Sequence, residues 1–163
     1  MTDVYCLDTS AWTGIRRGYP YSVFPSLWGK IDTLIKGDRL ISPREVYVEL
    51  EKQDDEVFRW VKQRKRLFRE LNEEQLAVAS DIMKQFPGLI DSLKATPEAD
   101  PFVIALAIVE TKNMSLLGGQ CTVVSEEKPS NNEAKPKIPN VCSACSVTHL
   151  RILDVCNNEG WIF

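Results

Sequence analysis

The sequence contains a single histidine, His149, among its 163 residues. A Ser-His-Asp or Cys-His nucleophilic site would depend entirely on that side chain, because both arrangements need an imidazole as the base. We place His149 in a last helix, over residues 147–156, and interpret it as a surface or packing residue. The sequence therefore argues against nucleophilic hydrolase chemistry of either type.

Long apolar runs are missing as well. No stretch approaches the roughly 18 consecutive apolar residues of a membrane span. Residues 1–3 lead into the first strand without the basic segment of a secretory signal, so we expect a cytoplasmic protein without a membrane segment. The five cysteines are an odd number, and Cys6 and Cys121 lie in apolar runs. This pattern favours reduced, buried thiols in a reducing compartment.

The chain also lacks an excess of basic residues. Its net charge of −3 is not that of a strong non-specific nucleic-acid binder. A nucleic-acid substrate is not excluded, because a bound metal reverses the local potential that a phosphate meets. Hydrophobic residues make up 44% and charged residues 26% of the chain, which is ordinary for a globular protein. We expect a single domain spanning residues 1–163, without internal repeats.

Short apolar runs alternate with segments of helical spacing. The predicted strands are Val4–Leu7, 39–41 and Cys121–Val124. The predicted helices are 23–35, one that starts with a capping box at Ser42 and proline at its first position, 56–70, 72–86, one that starts at Asp100, and 147–156. Residues 126–140 are predicted to form an exposed loop. This alternation predicts an α/β protein, a three-layer α/β/α arrangement with a central, mostly parallel sheet flanked by helices.

Four acidic residues occupy plausible positions for a metal site. Asp8 ends the first strand, Glu49 lies on a helix, Asp100 precedes Pro101, and Glu127 follows the strand Cys121–Val124. Ligands gather at the carboxyl ends of parallel strands, where Asp8 and Glu127 are placed. Mg²⁺ and Mn²⁺ prefer hard oxygen ligands such as carboxylates.

Each of these acids also has a purely structural interpretation. Asp8 could form a turn that caps the next segment, and Asp100 could be the N-cap of its helix. Glu49 could be a solvated helix residue. Its neighbour Glu45 is better explained by the capping box, so Glu49 is the preferred metal ligand of the two. Glu127 could simply belong to the polar loop.

Three further features of the sequence are relevant to its chemistry. Cys142 and Cys145 have the spacing of half a zinc knuckle, but no matching second pair accompanies them, so we favour two reduced thiols over a zinc or redox site. The cationic run at 59–66 is better explained as a solvated face than as an RNA-binding helix. Arg16 and Arg17 lie closer to Asp8 along the chain and are candidates for binding a substrate phosphate.

Four segments in this order resemble the PIN-domain nuclease family, which includes bacterial toxin ribonucleases. They are Leu-Asp-Thr-Ser at 7–10, Val-Tyr-Val-Glu-Leu at 46–50, the apolar helix start at 99–107, and Thr-Val-Val-Ser-Glu-Glu at 122–127. Segments 17–20, 24–28 and 157–163 resemble an uncharacterised bacterial and archaeal branch of that family. The resemblance implies a PIN-like fold.

The same resemblance implies that Asp8, Glu49, Asp100 and a final acid hold one or two Mg²⁺ or Mn²⁺ ions, with Ser10 supporting Asp8. The PIN family commonly has aspartate at the last position, where this chain has Ser-Glu-Glu at 125–127. Glu127 matches the register of that position, and Glu126 is its rival.

We expect a metal-dependent endoribonuclease that hydrolyses RNA phosphodiester bonds, because carboxylate-bound metal can activate water and compensate the charge on a leaving oxygen. The resemblance further implies the toxin of a toxin–antitoxin pair, a protein antitoxin and a homodimer. Three alternatives stay open. They are a PIN-fold nuclease of RNA processing or structured DNA, a catalytically degenerate PIN-fold binding module, and an unrelated phosphatase-like hydrolase with Asp8 as nucleophile.

Overall fold

The structure is a computed structural model that describes residues 3–91, 93 and 98–163. Its strands are β1 (Val4–Leu7), β2 (Leu40–Pro43), β3 (Phe68–Arg69), β4 (Cys121–Val124) and β5 (His149–Leu150). They form one sheet in the order β3-β2-β1-β4-β5, and every neighbouring pair is parallel. The predicted α/β class with a central parallel sheet is therefore confirmed.

Helices cover both faces of this sheet. They are α1 (Thr9–Gly18), α2 (Pro25–Lys36), α3 (Arg44–Gln53), α4 (Glu56–Val61), α5 (Glu73–Gln85), α6 (Asp100–Met114), α7 (Ile138–Ala144) and α8 (Ile152–Asn158). From β1 the chain moves to β2 and β3 on one side, then returns to β4 and β5 on the other. Right-handed crossovers in these two directions place their helices on opposite faces. The result is the expected three-layer α/β/α arrangement, consistent with a PIN-like fold.

The central helix α6 packs against β1, β2 and β4, with α5 and α7 at its sides. Val103, Ile104 and Leu106 are at most 1% exposed, so the helix is buried on all sides from Val103 to Ala107, as expected of a segment enclosed by a sheet and other helices. On the opposite face, α1 contacts β1, α3, α4 and α8. In the described part of the chain, no helix combines the length and apolar character needed to cross a membrane.

Several predicted element boundaries were right. α2 ends at Lys36 with Gly37 as its C-cap, and α5 begins with the capping box of Asn72 and Gln75 and ends before Pro87. The capping box at Ser42 was wrong, because Ser42 belongs to β2 and its hydroxyl bonds the Leu7 carbonyl and the Trp12 indole instead.

Four other boundaries were wrong. The predicted helices did not include one after Asp8, where α1 lies, and the helix predicted over 56–70 stops at Val61. The chain then turns into β3, which pairs with β2. His149 lies in β5, not in a helix, because it pairs with Val123 at the sheet edge. The predicted loop at 126–140 ends earlier, since α7 begins at Ile138.

Candidate metal centre

The candidate site lies where the strand order reverses. Connections leave β1 and β4 in opposite directions, so a crevice opens at the carboxyl ends of these two neighbours. Asp8 follows β1 directly and stays paired with β4, because its amide donates to the Val124 carbonyl at 3.0 Å. Glu127 follows β4 three residues after its end, and Asp100 begins α6.

Asp8 is 1% exposed and held rigidly. Its Oδ1 accepts hydrogen bonds from the Ala11 amide at 2.7 Å and from the Ser10 hydroxyl at 2.8 Å. Asp8 is thus the N-cap of α1, as its structural interpretation required. Each carboxylate oxygen has two lone pairs, so the capping role leaves acceptor capacity for a cation.

Ser10 and Ser125 fix the chain after β4 relative to Asp8. The Ser10 hydroxyl lies 3.2 Å from the Ser125 hydroxyl and accepts from the Glu126 amide at 3.1 Å. The Ser125 hydroxyl in turn accepts from the Glu127 amide at 3.0 Å. These bonds determine where the glutamate side chains leave the backbone.

Three carboxylates converge in this crevice. One oxygen each from Asp8, Asp100 and Glu127 lies within 4.8 Å of the other two. Asp100 does not cap its helix, because Ala99 occupies the N-cap position. Glu127 Oε2 also accepts from the Ile138 amide at 3.1 Å, which anchors it to the start of α7. This cluster could hold a metal ion.

The cluster carries more negative charge than its surroundings compensate. Burial raises the pKa of Asp8 to about 7, against hydrogen bonds from Ala11 and Ser10 that lower it. Burial and then the charge of Glu127 raise the pKa of Asp100 to about 8. Close carboxylates in a poorly solvated pocket resist simultaneous ionisation unless a cation is bound. An all-oxygen donor set of this charge fits a hard divalent cation.

A family model matches residues 5–163, described as a domain of unknown function, DUF4411. The chain belongs to the DUF4411 family. The matched region includes Asp8, Asp100 and Glu127, together with every strand except the first residue of β1. No curated protein matches the sequence significantly.

In this DUF4411 chain, Glu49 borders the same cavity without joining the group of three. The cavity has a volume of about 500 Å³. The Thr9 hydroxyl donates to Glu49 Oε1 at 2.8 Å, so a bond between α1 and α3 orients the fourth predicted acid. Thr9 and Ser125 were missed as site residues. Their roles depend on which elements meet, and no local pattern in the sequence marks that.

Glu126 faces other partners in the DUF4411 fold. Its Oε2 accepts from Arg151 at 3.0 Å and its Oε1 from the Ile152 amide at 2.8 Å. Glu126 also borders the cavity, but it does not belong to the group of three converging carboxylates. Of the two rivals, the structure brings Glu127 into the cluster.

The two arginines predicted to bind phosphate border different cavities. Arg17 is exposed and borders the acidic cavity. Arg16 points elsewhere, because its Nε lies 3.2 Å from Asp55 Oδ2 and the side chain borders a different cavity. The structure therefore keeps only Arg17 near the carboxylates.

The remaining chemical candidates lie outside the acidic cavity. His149 is partly buried, and burial lowers its pKa, so the imidazole is neutral near pH 7. Cys142 is buried with a thiol pKa raised to about 12 by burial, which disfavours the thiolate that zinc requires. All five cysteines are free thiols, as predicted.

Proposed function

We propose that the protein is a metal-dependent endoribonuclease that hydrolyses RNA phosphodiester bonds. The observation that carries the proposal is the convergence of Asp8, Asp100 and Glu127 oxygens within 4.8 Å at the strand-order reversal. These three carboxylates would hold Mg²⁺ or Mn²⁺, and Glu49 stands beside them in the same cavity. The resemblance to PIN nucleases supports RNA as the substrate.

Such a cation would supply an activated water and neutralise charge that develops on the phosphate during hydrolysis. The residues of the chain provide the rigid frame. Hydrogen bonds from Ala11 and Ser10 fix the Asp8 carboxylate, and the Ile138 amide fixes Glu127. Preorganised ligands need no rearrangement when substrate arrives.

Arg17 and Glu49 also line the acidic cavity and have proposed roles in binding. The exposed guanidinium of Arg17 borders the cavity, where it would pair with a phosphate oxygen of the RNA backbone. Glu49, oriented by Thr9, adds a carboxylate on the α3 side of the cavity, where it would join a ligand set if a second ion is bound. Repulsion between RNA and the four acids would otherwise oppose substrate binding, so the cation also makes binding favourable.

Cleavage of a mixed panel of single-stranded RNAs with Mn²⁺ or Mg²⁺ tests the proposal. Asp8→Asn and Asp100→Asn should each lower the rate at least about 100-fold, since metal ligands contribute at least as much as the groups that orient them. Asp81→Asn, an exposed acid on α5, is the matched control and should cleave normally. Absence of cutting across RNA and structured DNA, without metal binding by calorimetry, would refute the nuclease and favour the binding module.

The toxin role rests on the resemblance to PIN toxin ribonucleases and has its own test. Induced expression of the wild-type chain should arrest bacterial growth, whereas expression of Asp8→Asn at equal level should not. Copurification from the source cell should then recover a protein antitoxin that suppresses cleavage. Cleavage without growth arrest would support the nuclease activity but contradict the toxin role, and it would favour a role in RNA processing.

A further inference from the structure

A second cavity, of about 580 Å³, lies outside the acidic crevice. It is larger than the acidic cavity and its lining is mainly apolar. Its walls come from the end of α1, the segment before α2, α2 itself, and α4 with the residues that follow it. The side chains that matter below are Arg16, Tyr21, Trp28, Arg59 and Trp60. Pockets that bind small molecules or bases combine apolar walls with a few polar groups in this way.

Aromatic rings form one side of this second cavity. The Trp28 and Trp60 rings pack edge to face with their centroids 5.0 Å apart, and Tyr21 lies 6.3 Å from Trp28. Arg64 stacks on Trp60 at 3.7 Å and is held by Asp32 at 2.6 Å, so the tryptophan is fixed in place. Tyr21 stays 59% exposed although it is a large aromatic residue.

Guanidinium groups border the same surface. The Arg59 side chain is 59% exposed, and its contact with Glu56 is long, at 3.8 Å. Arg16 forms its ion pair with Asp55 at 3.2 Å, but the Nε–H does not point along a hydrogen bond. Glu56 borders this cavity as well, so the second cavity combines apolar and aromatic surface with two guanidinium groups, of which Arg59 is the more exposed, and one carboxylate.

Helix α1 connects this cavity to the acidic one. Successive residues of the helix border the two cavities, Arg17 the acidic cavity and Arg16 the second cavity. Asp8 and Arg16 are eight residues apart, which corresponds to about 12 Å along a helix axis. A short single strand with a phosphate at the carboxylates can therefore reach the aromatic rings.

We propose that the second cavity binds a nucleobase of a single-stranded RNA that places another of its phosphates, a few nucleotides away, at the acidic cluster. The base stacks on Tyr21, and Arg59 pairs with the adjoining backbone phosphate. Aromatic platforms bordered by cations bind single strands in this manner with little sequence preference, because every base has a π-face. This inference rests on the proposed function and adds a substrate-binding position to it.

The test measures binding without cleavage. The protein is prepared as Asp8→Asn with Mn²⁺ present, because this variant cleaves at least about 100-fold more slowly. Asparagine is as good an N-cap as aspartate, so α1 stays intact. A fluorescein-labelled single-stranded RNA octamer is titrated by anisotropy. Adding Tyr21→Ala should weaken binding about 5- to 100-fold, the usual effect of one stacked base, and Tyr21→Phe should restore it. Phe163→Ala, which removes an aromatic residue of similar exposure, is the control and should leave affinity unchanged.

Arg59 is tested in the same assay. Arg59→Ala should lower the affinity and reduce its salt dependence, because one phosphate contact is lost. Lys84→Ala removes an exposed cation from α5 and should change neither. If Arg59→Ala and Lys84→Ala behave alike, the guanidinium has no specific role and the proposal fails.

The outcomes separate this inference from the nuclease. In one outcome, the wild type cleaves RNA with metal, and Asp8→Asn binds the octamer equally with and without Tyr21→Ala. This result would overturn the base site, whereas the nuclease proposal would stand. Tyr21-dependent octamer binding by a protein that does not cleave would support the base site and refute only the nuclease. A glutamate octapeptide that competes with the RNA at equal concentration would overturn the proposal in favour of an acidic peptide.

Discussion

At the scale of single residues, Asp8 serves both the fold and the candidate site with one carboxylate. It caps α1 through the Ala11 amide, and it contributes an oxygen to the cluster with Asp100 and Glu127. Asp8→Asn should therefore keep the cap and lose the charge, whereas Asp8→Ala should lose both. A comparison of the two variants separates folding from metal binding, and Asp8→Ala should be the less stable by about 1 kcal/mol.

The raised pKa values of the cluster predict how stability changes with pH. Burial raises the pKa of Asp8 to about 7 and that of Asp100 to about 8 in the folded protein, against an ordinary value of 3.8. The folded state therefore binds more protons than the unfolded state between about pH 4 and 8, and the metal-free protein should lose stability as the pH rises through this range. The slope is at most about 1.4 kcal/mol per pH unit for each proton released.

Urea denaturation in EDTA at constant ionic strength measures this slope. Asp100→Asn should flatten it, while Asp81→Asn should leave it as in the wild type. Mn²⁺ should stabilise the protein more at pH 8 than at pH 5, because protons compete for the same oxygens. A wild-type slope that Asp100→Asn leaves unchanged would contradict the assignment of the raised pKa to this site.

The identity of the third carboxylate gives a second prediction at this scale. Glu127→Gln should weaken Mn²⁺ binding at least about 10-fold, since it removes one of three converging oxygens. Glu126→Gln should bind Mn²⁺ like the wild type, because Glu126 turns towards Arg151 and the Ile152 amide and does not belong to the group of three converging carboxylates. Calorimetric titration compares the two variants directly. The reverse order of effects would assign the position to Glu126.

Much of this cluster could be predicted from residue type and position. Asp8 and Glu127 follow apolar runs, and Asp100 precedes a proline, so each carries a local signal of an element end. Thr9 and Ser125 carry none. Their hydrogen bonds depend on α1 meeting α3 and on the register between β1 and β4, which no local pattern encodes. The choice between Glu126 and Glu127 depended on the same register.

At the scale of elements, predictions succeeded where local chemistry determines a boundary. The capping box of Asn72 and Gln75 forms as predicted, because its bonds lie within four residues. The two-residue strands, in contrast, could not be predicted from the sequence. β3 and β5 form because the edges of β2 and β4 offer unpaired backbone groups with which they form hydrogen bonds. Helical spacing over 56–70 and 147–156 was outweighed by these long-range pairings.

Gly88 illustrates how one element restricts another. An ideal Cβ at Gly88 would lie 1.9 Å from the Ala134 carbonyl oxygen, a backbone atom that cannot move independently. Gly88→Ala should push the segment at 130–136 away from the turn after α5 and destabilise the protein by about 1–3 kcal/mol. Gly29→Ala is the matched control. Space around Gly29 is open, and alanine is the better helix former, so this change should stabilise α2 by up to about 1 kcal/mol.

Urea denaturation of both glycine variants gives the comparison. Because both changes add one methyl group, a difference in sign isolates the close approach of the two backbones. Equal effects would show that the segment at 130–136 adapts without cost.

At the scale of the whole molecule, the first strands and the last helix are joined by one polar cluster. Arg39, before β2, donates to both oxygens of Glu159, which follows α8, at 2.9 and 2.5 Å. The same guanidinium donates to the Asp3 carbonyl, and the Tyr5 hydroxyl donates to Glu159 at 2.7 Å. Residues more than 100 positions apart are thus tied at the amino ends of β1 and β2, opposite the candidate metal centre.

This cluster predicts a loss of stability that leaves the metal centre intact. Glu159→Gln removes the charge that Arg39 and Tyr5 bond, so it should lower the free energy of unfolding by about 1.5–3 kcal/mol, as for other hydrogen bonds to charged groups. Glu51→Gln, on the exposed face of α3, should be neutral. Mn²⁺ affinity should be equal in both variants, because the acidic cluster lies at the opposite ends of the strands.

The pH dependence of the Glu159 contribution has the opposite sign to that of the acidic cluster. The hydrogen bond from Arg39 lowers the pKa of Glu159 below its usual value. Its contribution is therefore present above the unfolded pKa and is lost as the pH falls through the folded one. The difference in stability between the wild type and Glu159→Gln should shrink in acid, whereas the difference for Asp100→Asn should change between about pH 4 and 8. If the two stability differences changed with pH in parallel, one titrating group would dominate both of them. The two ends of the sheet would then not contribute independently to the pH dependence of stability.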